Sequence, residues 1–356
     1  MTYYFEKDII QMKKLFDKEL EEWFGKEFEK AKNPDKDYKE NLKILETFIL
    51  RGGKRIRSSL MYWGYVACQG KDVKAIVNCA LSMEFLHTCL LIQDDIMDDD
   101  LVRRGGPAVH KIYEEILSEL PKKKSQKTGE SLAVLASDIS FSIAVKIILK
   151  SSFKENLKLE ALKLFLKAFK NTVLGQIKDV KSDFEQNLAF DEILKIYQLK
   201  TAEYTFQTPL MIGAVLAQAP LNQKRVLAQY AKNIGIAFQI HDDLIGIYSD
   251  KNKIGKEMGA DIKKGKKTLL LLKILEKASP KDKKFIENLF FKSRLSKAQL
   301  QNFKEIAEKT GALEYCENLK KSYYKKAVKA ISNSSMNADS RNFFLNCADF
   351  MINRKQ

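Results

Sequence analysis

The sequence predicts an all-α protein, on three observations. Apolar residues recur at three- and four-residue spacing through most of the chain, with Lys and Glu between them, the pattern of one-sided helices. Strand-like alternation rich in Val, Ile and Thr is hard to find. Prolines number only six in 356 residues, so little interrupts long helices. A hydrophobic content of 45% is ample for a core. The length of 356 residues would suit two average domains, but large helical proteins run this long as one, so a single domain over 1–356 is expected.

In chain order, residues 1–35 read as one amphipathic helix, broken at Asn33-Pro34-Asp35, and a second helix runs to Leu50. The next segment, Arg51-Gly-Gly-Lys-Arg-Ile-Arg57, places a glycine pair before three cations. The glycines free the backbone for a turn, so Lys54 and Arg57 emerge together at the head of a helix. Backbone N–H groups with two cations at a helix start make an anion site. Taken alone, the segment reads equally as a plain basic turn. It is not a P-loop, whose second glycine and hydroxyl are missing.

Two helices are expected between Ser58 and Asp98, the second delivering the stretch Leu90–Gly105. That stretch packs Asp94, Asp95, Asp98, Asp99 and Asp100 directly before Arg103 and Arg104. Asp94 and Asp98 stand at i and i+4, so both carboxylates leave one helix face. Two like charges that close repel unless a cation sits between them. All-oxygen ligands suit Mg²⁺, which takes one or two carboxylates and completes its shell with water and phosphate. A solvated acidic helix end is the bland alternative. His87 lies seven residues before Asp94, two turns down the same face, and is a candidate substrate contact; His110 and His241 are read as structural.

Gly105-Gly-Pro107 ends this region, and 121–130 reads as a basic surface loop. Helices are expected at 131–150 and 156–185, the latter carrying Gln176, Asp179 and Asp183 on one side. A helix over 191–217 brings Lys200 and Thr201 inward and is kinked at Pro209. Gly235–Gly246 then repeats the earlier device, an apolar run that delivers a carboxylate pair, Asp242 and Asp243. Two such clusters from separate helices suit several divalent ions around one diphosphate. The basic, glycine-containing stretch 250–268, with Lys256 and Lys266, reads as a loop that closes over the diphosphate and excludes water. From Leu269 onward the chain is amphipathic, lysine-rich helix whose default role is packing.

Net charge is +16, but the lysines are scattered and no nucleic-acid motif or arginine-rich arm appears, so nucleic acid is not an expected partner. A positive mean potential draws polyanionic small substrates instead. The five cysteines show no paired spacing, as suits buried thiols in a reducing compartment. The N-terminus lacks a signal-peptide pattern and no transmembrane run is apparent, so a cytoplasmic protein is expected.

These features occur in a telling order: Gly52-Gly-Lys-Arg-Ile-Arg57, His87, Asp94-Asp-Ile-Met-Asp98, Arg103-Arg-Gly105, Gln176, Lys200-Thr201, Phe238-Gln-Ile-His-Asp-Asp243, Gly255-Lys256 and Lys266. Over nearly its whole length the chain resembles the trans-isoprenyl diphosphate synthases, the polyprenyl synthetase family. The resemblance implies a helical bundle around a deep central cavity, a homodimer, and head-to-tail condensation of isopentenyl diphosphate with an allylic diphosphate. It implies two to three Mg²⁺, with Mn²⁺ as a substitute. Asp94, Asp98 and Asp242 would bind metal, with Asp243 in support. Lys54, Arg57, His87 and Arg104 would hold isopentenyl diphosphate, and Arg103 would contact the allylic diphosphate. Lys200, Thr201, Gln239, Lys256 and Lys266 would line the allylic site and closing loop. Lys200, Thr201 and Gln239 would also face the developing cation and, with the three aspartates, form the catalytic set.

The second motif ends in Gly246 where the family usually has aspartate, and Ala136-Ser-Asp138 departs slightly from an alanine-glycine-aspartate pattern. The first motif lacks the two-residue insertion of bacterial farnesyl synthases. In this family the residues four and five before the first aspartate form the cavity floor. Here they are Leu90 and Cys89, neither aromatic, so the floor is expected a turn deeper at Phe85 and Leu86. That favours a geranylgeranyl product over a farnesyl or longer (C25 and above) one. A non-catalytic partner subunit and a class I terpene cyclase are the rival readings of another class. The first usually loses an aspartate cluster; the second has no need of Lys54 and Arg57.

Overall fold

The computed structural model describes residues 2–30, 35–182, 184–185, 188–248, 259–290, 292 and 294–353. The described residues are overwhelmingly helical and cluster into two compact units. The first comprises residues 6–164 and 212–219, the second 1–5, 165–211 and 220–356.

In the first unit, α1 (Thr2–Lys30) and α2 (Lys36–Leu50) correspond to the two N-terminal helices expected. Asp35 starts α2 by accepting a hydrogen bond from the Asp37 N–H at 2.9 Å; Asn33 and Pro34 lie outside the described residues. Next come α3 (Ile56–Ala67) and α4 (Val73–Met97). α4 is apolar nearly all round because it is the core helix of this unit, packed against α2, α3 and α6 (Lys122–Lys150). Beyond it lies one feature outside the all-α expectation, an antiparallel hairpin of β1 (Val102–Arg103) and β2 (Gly106–Pro107). Its turn residues Arg104 and Gly105 have φ of 53° and 74°, the two positive values that a tight two-residue hairpin demands.

The stretch 121–130, expected as a basic loop, is the first part of α6 instead. Pro121 presets the entry, the lysines that follow are good helix formers, and Gly129 admits α5 (Val109–Ile116) at close range. A Cβ on Gly129 would lie 2.8 Å from the His110 carbonyl oxygen. Packing on α5 therefore outweighs the turn-like Lys-Thr-Gly composition.

Contrary to the expectation of no such run, α4 and α6 are long and apolar enough, by length and composition, to cross a membrane. The apolar window of α4 is 78% buried inside the protein, however, and that of α6 44%. Ser137 and Ser140 of α6 point inward, accepting from Gln93 at 3.1 Å and donating to the Phe85 carbonyl at 2.8 Å.

In the second unit lie the later residues of α7 (Glu155–Ser182). The helix expected over 191–217 is three segments: α8 (Phe190–Ile196), a π-helix (Tyr197–Gln207) and α9 (Thr208–Leu216). Pro209 has no N–H, so the ladder loses a donor where the wider π register returns to α. α10 (Leu221–Tyr248) packs along the π-helix and along α15 (Ala312–Ser332). Gly235 makes the first contact possible, since a Cβ there would fall 2.5 Å from Ala202 Cα.

Residues 250–258 of the expected closing loop, Lys256 included, lie outside the described residues. Its remainder is not all loop, because α11 occupies Ala260–Lys263. The C-terminal region is α12 (Leu269–Lys277), α13 (Pro280–Glu287), α14 (Lys297–Lys309), α15 and α16 (Ala338–Asn353). Ile236, Ile240 and Leu244 of α10 share a core with Leu270, Ile274 and Phe303, so these helices do pack as expected.

Candidate active site

Within the first unit the aspartate cluster sits at the end of α4. Asp94 and Asp95 occupy the last turn and Asp98 caps it in helical conformation. The Asp98 N–H donates to the Asp94 carbonyl at 2.9 Å, so the predicted one-turn relation holds. Carboxylates here face the negative end of the helix dipole, where cations are favoured. The arrangement costs stability and calls for positive charge.

Arg103 supplies part of it. Its Nε donates to Asp95 Oδ1 at 2.6 Å and its Nη2 to Asp100 Oδ2 at 2.9 Å, while Asp94 Oδ2 stands 4.0 Å away. Asp95 is fully buried, and burial pushes its carboxyl up to about 6 against the pull of Arg103. Asp95 is thus committed to the hairpin, whereas the Asp94 side chain keeps 27% exposure and Asp98 is half-buried. Among the described residues no three His, Cys, Asp or Glu form a ready-made metal cage.

The glycine pair before α3 forms the turn that was read from sequence, with φ of 145° at Gly52 and 118° at Gly53. A Cβ on Gly53 would lie 3.0 Å from Arg104 Nη2, so the guanidinium packs directly on the turn. Arg55, between Lys54 and Arg57, was missed by sequence reasoning. Its side chain is fully buried, donating from Nε to Asp17 Oδ1 at 2.7 Å, from Nη1 to Glu84 Oε2 at 2.9 Å and from Nη2 to the Ile49 carbonyl at 2.7 Å. Glu84 also accepts from Ser58 Oγ at 2.8 Å. Burial raises the Glu84 carboxyl, but Arg55 outweighs it and holds it below the usual range. A signal existed, since Glu84 is the one carboxylate amid the apolar run of α4 before Asp94.

One turn above Glu84, burial and then the charges of Arg57 and Arg104 hold the His87 imidazole well below its ordinary range. Its surroundings are positive and disfavour the imidazolium. Burial lowers Arg104 as well, to about 10. Cys89, Leu86 and Phe85 are buried and Leu90 is partly so. Burial pushes the Cys89 thiol up to about 12, so it is inert filling.

Within the second unit, the π-helix carries Lys200 and Thr201. Lys200 Nζ lies 2.6 Å from Asp179 Oδ2 of α7. Burial raises the Asp179 carboxyl, but Lys266 and Lys200 outweigh it and hold it below the usual range. Gly175 permits the approach, because a Cβ there would meet Lys200 N at 2.7 Å. Asp179 thus faces these lysines rather than solvent, and Gln176 is partly buried; Asp183 lies outside the described residues.

Thr201 begins a relay of hydrogen bonds. Its Oγ1 donates to Gln239 Oε1 at 2.6 Å, and Gln239 Nε2 donates to Asp243 Oδ1 at 2.9 Å. The other Asp243 oxygen accepts from Tyr197 OH, which accepts from the Leu269 N–H at 3.2 Å. Burial pushes the Asp243 carboxyl up to about 7, with Lys266 pulling the other way. Asp242, its neighbour, is partly exposed. Tyr197 had no motif to announce it. At Gly246, a Cβ would lie 3.6 Å from Asp261 Oδ2 of α11, so another carboxylate stands where the usual aspartate is missing. His241 lies against the buried Lys320, 3.4 Å away, and His110 is buried in α5.

A family model described as polyprenyl synthetase matches residues 39–307. This chain belongs to the polyprenyl synthetase family. It is accordingly a prenyltransferase of the trans-isoprenyl diphosphate synthase family with the all-α isoprenoid synthase fold. A short chain isoprenyl diphosphate synthase of Methanothermobacter thermautotrophicus is 32% identical over 314 residues, 88% of this chain and 90% of the relative. A geranylgeranyl diphosphate synthase of Sulfolobus acidocaldarius is 31% identical, covering 86% and 88%. The structure of geranylgeranyl pyrophosphate synthase from Corynebacterium glutamicum, complexed with isoprenyl diphosphate and magnesium, superposes with a TM-score of 0.89 at 26% identity, over 97% of this chain and 99% of that one. Other polyprenyl synthetases of similar fold include one from Pyrococcus horikoshii at a TM-score of 0.84 and 28% identity.

Proposed function

We propose that this polyprenyl synthetase condenses isopentenyl diphosphate with an allylic diphosphate head to tail, that it requires Mg²⁺, and that its main product is geranylgeranyl diphosphate. The observation that carries the reading is the state of the first cluster. Asp94 and Asp98 stand one turn apart at the C-terminus of α4, beside the Asp95 and Asp100 carboxylates that Arg103 holds, so several carboxylates converge where the helix dipole favours a cation. In this reading all 356 residues serve one polyprenyl synthetase domain, matched by one family model over 39–307.

Each cluster then has a task. Lys54, Arg57 and Arg104, framed by the glycine turn, neutralise the diphosphate of isopentenyl diphosphate, and neutral His87 donates a hydrogen bond to it. By the family's pattern Asp94 and Asp98 of the first cluster, and Asp242 of the second, would bind Mg²⁺, two to three ions in all, with Mn²⁺ as a substitute. Bound Mg²⁺ would neutralise and orient the allylic diphosphate as a leaving group. Arg103, Lys200, Lys256 and Lys266 add positive charge where negative charge grows as the C–O bond breaks. Thr201 and Gln239 present oxygen atoms to the allylic cation, and the relay through Asp243 and Tyr197 holds the Gln239 amide still. The isopentenyl double bond attacks, and a proton leaves to the departing pyrophosphate. No protein nucleophile is needed.

Product length follows from the walls of α4. Cys89 and Leu90 let the growing tail pass, and Leu86 and Phe85 stop it. A homodimer is proposed on α6, whose outward residues Val134, Leu135 and Leu149 leave an apolar face for a second copy. The enzyme is proposed to act in the cytoplasm.

The deciding experiment supplies purified protein with Mg²⁺, labelled isopentenyl diphosphate and C5, C10 or C15 primer, then sizes the dephosphorylated products. A C20 product that disappears in Asp94→Ala supports the reading. Elongation of no primer overturns it in favour of a non-catalytic subunit.

A further inference from the structure

The stripe of α4 that carries Cys89 continues downward at four-residue spacing through Phe85 to Leu81, so these side chains lie one below another. Phe85 stands nine residues before Asp94, about 13 Å down the axis at 1.5 Å per residue. Its ring is fully buried, and two rings of α1 close around it: Trp23 at 4.7 Å between centroids and Phe24 at 5.6 Å. Trp23 and Phe24 also meet edge to face at 5.1 Å, so the three rings form one block. The far side of Trp23 is not covered. There it lines a pocket of about 250 Å³ whose other apolar residues are Cys79, Leu81 and Ile147 and whose remaining lining is charged or polar, Glu27 and Lys146 among it. Phe85 and Trp23 thus stand between the level of Cys89 and a partly apolar space nearer the start of α4.

We propose that Trp23, on the first helix, is a chain-length residue: it locks the Phe85 ring across the path of the prenyl tail, and the pocket behind it accepts further isoprene units once that lock is removed. The inference rests on the synthase reading and on Phe85 as floor. A phenylalanine alone on a helix turns about its side-chain bonds; packed against an indole it has nowhere to go. Removing the indole creates the space into which Phe85 swings, and the tail gains a channel about 20 Å below Asp94, at the level of Leu81.

The test sizes the products of the full-length protein and of Trp23→Ala, Trp23→Leu, Phe85→Ala and the Trp23→Ala/Phe85→Ala double variant, with C15 primer and excess isopentenyl diphosphate. Expected is a shift from C20 by at least one five-carbon unit in Trp23→Ala, a smaller proportion of longer product in Trp23→Leu, and the longest ladder in the double variant. Leu81→Trp in the Trp23→Ala background, which refills the pocket, returns the product toward C20. The inference is overturned if Phe85→Ala lengthens the product while both Trp23 variants keep the wild-type ladder. Trp23→Leu, with the milder loss of volume, reads the same outcome should Trp23→Ala fold poorly. An unsubstituted protein that elongates no primer fails the synthase reading itself, a result distinct from any of these.

Discussion

Thr201 Oγ1 donates to Gln239 Oε1 at 2.6 Å, and this bond joins the π-helix to α10. It fixes which end of the Gln239 amide faces Thr201, because the other end is engaged by Asp243. Thr201→Val removes the donor but keeps the shape. A lost hydrogen bond of about 1 kcal/mol corresponds to a roughly fivefold fall in kcat. Single-turnover rates with saturating substrates check this, and an unchanged rate would show that Gln239 is held by Asp243 alone.

Glu84→Ala leaves Arg55 as a buried charge with one of its two carboxylates gone. Breaking such a buried pair costs about 3 kcal/mol. The Arg55→Met/Glu84→Leu double variant, which removes both charges and leaves Asp17 to solvent, is expected to lose less than either single variant. Urea unfolding midpoints decide. Equal losses in all three would mean that packing, and not charge, dominates.

His87 gives a pH signature. Its folded-state pKa lies below the ordinary value of 6.5, so the unfolded chain binds the extra proton more readily. The stability contribution of the neutral imidazole is therefore complete above pH 6.5 and is lost as pH falls below it. In substrate-free protein, the difference in melting temperature between pH 7.5 and pH 5.5 should shrink in His87→Gln, by the part of the slope that His87 supplies.

Asp261 stands where the usual last aspartate of the second motif would point, next to Gly246. Asp261→Asn is expected to raise the Mg²⁺ concentration for half-maximal rate by about tenfold, the scale of a lost supporting carboxylate. Gly246→Asp in that background should recover part of the loss. Mg²⁺ titrations of the initial rate compare the variants, and an unshifted Asp261→Asn would show that the carboxylate only packs.

Much of the fold and of the site was legible because its signals are local. The four-residue spacing of Asp94 and Asp98 is a property of one helix turn, and the Gly52-Gly53 turn is a property of glycine. Periodicity placed α2 and α4 well, and it caught the second half of α10 at Gly235–Gly246. It failed at 121–130, where a lysine-rich, glycine-containing stretch looks like a loop until Gly129 is seen against the α5 backbone. It missed the π-helix, because a change from α to π register leaves the apolar pattern almost untouched. Arg55 and Tyr197 were invisible for another reason: an arginine among cations and a tyrosine in a helix acquire meaning only from Glu84 and Asp243, which lie 29 and 46 residues away.

By itself the sequence determined the all-α class, the family and the inventory of chemical groups: two carboxylate clusters, their attendant cations and a non-aromatic Cys89-Leu90 level. These depend on residue type and on spacing within a turn or two. Only the tertiary structure decided how the groups are shared out. Arg103 donates to the buried Asp95, while Asp94 and Asp98 stay partly exposed; Gln239 donates to the buried Asp243, while Asp242 is partly exposed; and Trp23 of the first helix closes on Phe85 of the fourth. Those choices belong to burial, which brings distant segments into one place and makes each polar group there find a partner.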